Sequence, residues 1–415
     1  MSAVIVTIPD ERTTPKQNKK SQFAVLSSVS SLVARHDARR IIHSVKVGIA
    51  LVLVSLLYLL DPVYKQVGEN AMWAIMTVVV IFEFTAGATI SKGLNRGIGT
   101  ILGGGLGCLA AILADVVGGI GNVVVVGTSV FVFGAAAAYF RYVPTIKRRY
   151  EYAALIFILT FNLVVVSGLR AEKIMNLARE RLSTIGMGFT ICIFTSLLLF
   201  PIWASDELHN SLASKFEKLA SCVEGCLEEY FKPVDEKESQ CSAQFTSCKS
   251  LLYSKANEES LANFARWEPW HGRFGLFYPW DKYLEIGNVL RELAISIIAL
   301  EGCLQSSLQP SSALRQSIQE PCEAVGSLLG WILRELGESI MKMERCKPKA
   351  LIAPKLQSMK LELSRVSSPY KLEADDHGGL AAASSVFLMM EMVKKVELLA
   401  TKVEELGEVA GFQTK

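Results

Sequence analysis

Residues 71–107 read as two membrane-length apolar runs interrupted by a short basic hairpin carrying Lys92 and Arg96. The first run holds a lone carboxylate, Glu83, between Phe82 and Phe84, and an earlier apolar run holds Lys46. Arg181 opens the last such run. A bilayer core takes about 20 apolar residues from a helix, and ionisable groups within it are costly. A chain that keeps such charges beside glycines is suited to moving something charged. The excess of basic groups points to an anion.

Each group has a plainer use that must be weighed. Lys92 and Arg96 share a helix face if their segment is helical, yet they could simply hold a loop on the inner side. Arg181 could snorkel to the interface. The sharper reading places Arg96 and Arg181 near opposite ends of one pathway, as two positive collars that replace part of an anion's hydration and reject cations. A symmetric dimer would double each collar. By residue count, Lys46 and Glu83 lie about 8 and 10 Å inside their spans from one side. They could therefore form a salt bridge between spans one and two, or take part in gating. Gly93, Gly97, Gly99, Gly103 and Gly107 include several GxxxG spacings, which let helices approach closely in a membrane.

The elements that must position these groups follow from the hydropathy pattern. Six spans are expected at 41–60, 71–90, 97–117, 121–140, 152–168 and 184–204. The chain of 415 residues is 51% hydrophobic with a mean hydropathy of +0.33, and its charges crowd into 205–415. The expectation is an all-α protein, a six-helix transmembrane domain followed by a helical cytosolic domain. Its parts are a cytosolic N-terminal segment (1–38), the membrane domain (39–204) and the cytosolic domain (205–415). Arg35, Arg39 and Arg40 precede span one, Lys92 and Arg96 precede span three, and Arg141, Lys147, Arg148 and Arg149 precede span five. The positive-inside rule makes that face cytosolic. Residues 9–22 are polar and 3–8 too short for a cleavable leader, so span one is expected to serve as the insertion signal.

No phosphate-binding GxxxxGK[ST] loop is present, and the only protonatable groups along the route are Glu83 and Asp115. ATP-driven pumping is unsupported. Passive flow down an electrochemical gradient is the simplest fit. Nine cysteines include Cys222 and Cys226, but no zinc-type CxxC pattern with histidines. Neither a metal, a cofactor, an enzymatic site nor a nucleic-acid partner is expected.

In the second half, helices are expected at 206–231, 245–266, 281–308, 312–345 (broken or kinked at Pro321) and 379–406. Met389, Val393, Val396, Ala400 and Val403 form an apolar seam on the last of these, suited to packing within the chain. Residues 267–283, WEPWHGRFGLFYPWDKY, cannot be a regular helix. They read as a rigid aromatic clamp, with His271 and Arg273 as the alternative sensor of pH or of a bound anion.

These stretches resemble the aluminium-activated malate transporter family of plants. The resemblance runs through RRIIHSVKVGIALVLVS (39–55), WAIMTVVVIFEFTAGATISKGLNRG (73–97), EYAALIFILTF (151–161), RLSTIGMG (181–188), PIWASDELH (201–209) and ARWEPWHGRF (265–274). It implies a dimeric anion channel with six spans per subunit that passes malate, other dicarboxylates, chloride or nitrate. Its pore arginines fall on Arg96, in KGLNRG, and Arg181, in RLST, with Lys92 beside them. Lys46, Glu83, Trp267, Glu268, Pro269, His271 and Arg273 are assigned structural or gating roles. Besides lipid and permeant anions, a second copy of the chain is the expected partner, and the plasma membrane is favoured over the vacuolar membrane. The alternative is a coupled exporter of organic or aromatic acids, similar to fusaric acid resistance-like membrane proteins. A third reading, a membrane-anchored scaffold built on 205–415, predicts no effect of Arg96→Ala with Arg181→Ala.

Activation by aluminium needs clustered hard carboxylate oxygens. On the outer face Asp61, Glu69, Glu172 and Glu180 are interleaved with Lys65, Arg170, Lys173 and Arg179. Weak or absent activation is therefore expected. Anion current at acidic pH with and without micromolar external aluminium tests this, and a large reversible increase overturns it.

Overall fold

A computed structural model describes residues 38–56, 59, 72–168, 174–231, 241–275, 277–304, 312–345, 349–366 and 377–413. Every regular element among them is helical. In chain order these are α1 (38–56), α2 (Met72–Ile81), α3 (Ala86–Val117), α4 (Gly119–Phe140), α5 (Pro144–Gly168), α6 (Ile174–Leu198) and α7 (Ala204–Phe231). Then come α8 (Cys241–Leu252), α9 (Lys255–Ala265), α10 (Trp280–Leu304), α11 (Ser312–Lys342), α12 (Lys349–Val366) and α13 (His377–Ala410). Helices α3, α4 and α5 are each long and apolar enough to cross a bilayer, while α2 and the Leu182–Leu198 part of α6 are shorter apolar helices. Asp61, Lys65, Glu69, Arg170, Glu172 and Lys173, expected on the outer face, lie outside the described residues.

The described residues fall into two compact units. One lies within Met1–Phe84 and Arg179–Phe200, the other within Thr85–Ala178 and Pro201–Lys415. In the first, Ala50, Val54, Ala74, Val78, Ile81, Phe82 and Cys192 form a small apolar core joining α1, α2 and α6. Helix α6 reaches α2 closely because Gly188 has no side chain: a Cβ there would lie 2.7 Å from the Ala74 carbonyl oxygen.

The second unit is organised around α3. The run read as one span over 71–90 is interrupted, because the backbone is not helical from Phe82 to Thr85. Thr85 then caps α3, its hydroxyl accepting from the Ala88 N–H at 3.4 Å. Residues expected in a basic hairpin, Lys92 and Arg96, therefore lie inside a continuous helix of 32 residues. The small residues Ala86, Gly87 and Ala88 after a capping threonine are what allow that start. The helix ends at Gly118, whose φ of 64° belongs to the left-handed region that glycine occupies without cost. With Gly119, whose φ is 54°, it turns the chain directly into α4.

Helix α3 packs on α5 through a face of glycines spaced four apart. A Cβ on Gly99 would lie 2.5 Å from the Ala153 carbonyl oxygen, and one on Gly103 2.7 Å from that of Phe157. At Gly107 it would meet Val164 Cβ at 3.0 Å. Bare backbone against backbone is the contact that GxxxG spacing permits.

The charged half has one continuous apolar core drawn from α7 to α13. Helix α13 supplies Met389, Val393, Val396 and Val403, all buried against this core. Its seam therefore serves packing within the chain. Helix α11 runs through Pro321 without ending. The lost hydrogen bond costs about 3 kcal/mol, and burial of Cys322, Val325, Leu329 and Ile332 around it offsets that cost. The helix expected over 245–266 is two, α8 and α9, separated by a turn at Tyr253 and Ser254. Helix α12 was not expected at all.

Candidate functional site

The polar face of α3 is the first part of the site. Thr89, Lys92, Arg96 and Thr100 follow one another at spacings of three and four, which puts them on one side of the helix. Arg96 is 5% exposed. Its Nη1 donates to the Tyr152 hydroxyl of α5 at 3.3 Å. Arg96 Nε and Thr100 Oγ1 are both buried and have no hydrogen-bond partner among the described residues. Beside them Asn95 Nδ2 donates to the Arg149 carbonyl oxygen at 3.1 Å, while its Oδ1 has no partner either. A buried guanidinium with an unused N–H, one turn from an unused hydroxyl, supplies two donors for a carboxylate. Asn95 Oδ1 is an acceptor and adds nothing to that attraction.

The second part is the loop between α9 and α10, which joins the charged half to the starts of α3, α5 and α7. Glu268 is 5% exposed and sits at the N-terminus of α7. Its two carboxylate oxygens accept from the Ala204 N–H at 2.6 Å and the Ser205 N–H at 3.2 Å. A carboxylate there satisfies otherwise unpaired amides and faces the positive end of the helix dipole. Burial nevertheless pushes the Glu268 carboxyl above the usual range, against the pull of those amides and of the Ser205 side chain. The same side chain touches α3, since a Cβ on Gly87 would fall 2.8 Å from Glu268 Cγ and 2.4 Å from the Phe264 carbonyl oxygen.

Around Glu268 the aromatic residues lock the loop. The His271 ring stacks on Trp203 at 3.7 Å between centroids, with Nε2 2.9 Å from Ser205 Oγ and Nδ1 2.8 Å from the Pro269 carbonyl oxygen. His271 and Phe274 exchange backbone hydrogen bonds across a tight turn whose Gly272 has a φ of 50°. Arg273 Nη1 donates to the Met341 carbonyl oxygen at the end of α11. Trp267 lies under the Arg149 guanidinium at 4.8 Å and edge-on to Tyr150 at 6.4 Å, both at the start of α5. Deeper in, His209 Nδ1 is 2.9 Å from the Tyr283 hydroxyl, and burial pushes the His209 imidazole below its ordinary range.

In the other unit, Lys46 is almost fully buried. Glu83 lies in the non-helical break rather than within a span, so a depth counted along a helix does not apply to it. Both charges act on a third group, His43, whose ring lies 5.8 Å from Phe82 and 5.5 Å from Phe84. Arg181 lies in α6, but its side chain is outside the described residues. His43, Thr100 and Tyr152 were not anticipated as members of the site. Thr100 could have been found from its place one turn after Arg96, whereas the tyrosine is 56 residues away in sequence.

Several membrane-length helices, one with a polar face and a buried guanidinium, define a multi-pass α-helical membrane protein. A family model described as aluminium activated malate transporter matches residues 31–367, and the chain belongs to that family. It is 41% identical to aluminum-activated malate transporter 13 of Arabidopsis thaliana over 83% of this chain and 66% of that protein. It is 38% identical to transporter 2 of the same plant, over 92% of this chain and 77% of the relative. With aluminum-activated malate transporter 1 of Triticum aestivum the identity is 35%, over 92% and 84%. The chain spans 57% of the length of Arabidopsis transporter 12 and 60% of transporter 14. These relatives are named as plant transporters, not enzymes.

Proposed function

We propose that this chain forms a passive, gated anion channel that conducts malate together with other organic and inorganic anions. Six spans per subunit and a homodimer complete the reading, with the plasma membrane as its site. The observation that supports it most is Arg96, a buried guanidinium on a membrane-length helix with an N–H unused among the described residues and Thr100 Oγ1 one turn on. A fixed positive charge with spare donors attracts a carboxylate and repels cations, and Lys92 one turn earlier extends the same potential. Arg181 is assigned the second positive position. The loop carrying Trp267, Glu268, Pro269, His271 and Arg273 touches α3 at Gly87 and α5 at Arg149, so movements of the charged half can reach the helix that holds Arg96.

Voltage-clamp recording in oocytes tests this. Arg96→Gln is expected to lower malate current roughly tenfold or more, the scale of one lost charged hydrogen bond. Arg96→Lys should keep part of the current and alter the preference among malate, chloride and nitrate. Unchanged conductance and reversal potential in Arg96→Gln would remove the basis of the reading. A reversal potential that moves with pH at constant anion gradients would favour coupled exchange instead.

A further inference from the structure

The conduction reading leaves one surface unused. The start of α5, just past the turn from α4, carries Lys147, Arg148 and Arg149 in succession, all exposed. Tyr139 and Tyr142 flank it, 70% and 80% exposed. The neighbouring α9–α10 loop displays Trp270 at 76% exposure and Phe277 at 98%, with Arg273 exposed between them. The two segments lie side by side, because Arg149 covers Trp267 of the loop and Asn263, on the helix leading into it, donates from Nδ2 to the Arg148 carbonyl oxygen at 3.0 Å. The nearby acids are largely committed: Glu151 pairs with Arg141 at 3.3 Å, and Asp281 pairs with Arg266 at 2.5 Å.

We propose that this surface binds anionic phospholipid of the cytosolic leaflet. Lys147, Arg148 and Arg149 would meet headgroup phosphates, and Trp270 and Phe277 would lie in the interfacial layer. The position argues for lipid, since the basic run sits at the ends of two membrane-length helices, where headgroups are found. Charge argues the same way. Consecutive cations are drawn to the negative cytosolic leaflet, whereas two copies of the same run would repel each other. Large aromatic rings beside basic residues are the composition that partitions into a membrane interface. The inference rests on α4 and α5 crossing the bilayer and not on anion conduction, so failure of the Arg96 experiment leaves it standing.

The full chain in vesicles of phosphatidylcholine, with or without phosphatidylserine, provides the test. Brominated phosphatidylserine is expected to quench tryptophan emission, and Trp270→Phe should remove part of that quenching. Native mass spectrometry should show phosphatidylserine retained over phosphatidylcholine. Lys147→Gln with Arg148→Gln, which spares the Arg149 contact to Trp267, should weaken that retention roughly twenty-five-fold, about fivefold per charge at an anionic surface. High salt should weaken it too. Equal retention of the two lipids, or retention indifferent to the double substitution, overturns the proposal. So does conversion of dimer to monomer by Trp270→Ser with Phe277→Ser, which would give the face to a second copy.

Discussion

Gly103→Leu is expected to yield almost no assembled protein, while Gly105→Ala two residues away leaves assembly intact. The side chain added at Gly103 would place its Cβ 2.7 Å from the Phe157 carbonyl oxygen and 3.1 Å from the Phe161 backbone nitrogen. Those atoms belong to the α5 backbone and cannot rotate aside. Helices α3 and α5 would have to separate, and the separation would pull Gly99 and Gly107 out of contact as well. Overpacking of a core costs about 1–3 kcal/mol even when side chains can yield. Here the obstacle is main chain, and the loss is taken from a total stability of only about 5–15 kcal/mol. In a membrane the penalty is sharpened, because close van der Waals packing replaces the hydrophobic drive as the main attraction between helices. A Cβ on Gly105 meets nothing within 4 Å. Fluorescence-detected size exclusion of both variants, extracted and warmed in parallel, separates the outcomes. A monodisperse Gly103→Leu protein with wild-type thermal tolerance would mean that this face is not a helix contact.

That contrast also shows what could be read from the chain alone. The four-residue spacing of Gly99, Gly103 and Gly107 announced a close helix contact, because only glycine leaves backbone exposed along one face. The partner was not legible: Ala153 to Val164 lie roughly fifty residues on and carry no mark of what they face. The break before α3 was missed because Phe82, Glu83 and Phe84 continue an apolar run in which one carboxylate reads as an intramembrane charge. Threonine is a residue type that caps helices, but a lone Thr85 competes poorly with hydropathy over such a window. Helix α12 escaped for the opposite reason. Its sequence begins among Lys347, Pro348, Lys349 and Pro354, which reads as a linker, and tertiary burial of Ile352, Leu356, Met359 and Leu363 overrides that local bias. For the α9–α10 loop, Pro269 and Pro279 among clustered tryptophans excluded a regular helix in advance. The contacts of Glu268 with the start of α7 were beyond reach, since a capping carboxylate 64 residues from its helix leaves no periodic trace.

Glu258→Leu is expected to destabilise the charged half by about 3–5 kcal/mol, the cost of breaking a buried ion pair from one side. Glu258 is 2% exposed and Lys215 is 4% exposed. The carboxylate takes a hydrogen bond from Lys215 Nζ on α7 and another from Arg291 Nη1 on α10, the latter at 2.7 Å. Gly287 makes room for it, since a Cβ there would lie 2.5 Å from Glu258 Oε2. One carboxylate thus holds two cations from different helices, and its removal leaves Lys215 with only the Ser254 hydroxyl and Arg291 with only the Asn288 side-chain oxygen, neither of which carries a neutralising charge. Lys215→Met together with Glu258→Leu should recover part of the loss, because the double change removes the ammonium that would otherwise stay buried. Burial works against the Glu258 carboxylate, but hydrogen bonds from Lys215, Ser254 and Arg291 outweigh it and hold its pKa below the ordinary 4.5. Burial also pulls Lys215 below its ordinary range, so attraction within the pair only partly offsets the cost of removing both charges from water. For Glu258 the sign is definite. A carboxyl depressed in the folded state lends stability that is complete above its unfolded pKa and disappears as pH falls through the folded value. Thermal unfolding of the purified full chain should therefore show a downward step in midpoint as pH falls below about 4.5, and Glu258→Gln should flatten that step. If Glu258→Gln unfolds at the wild-type midpoint at neutral pH and keeps the same acid profile, this carboxylate is not what ties α7, α9 and α10 together.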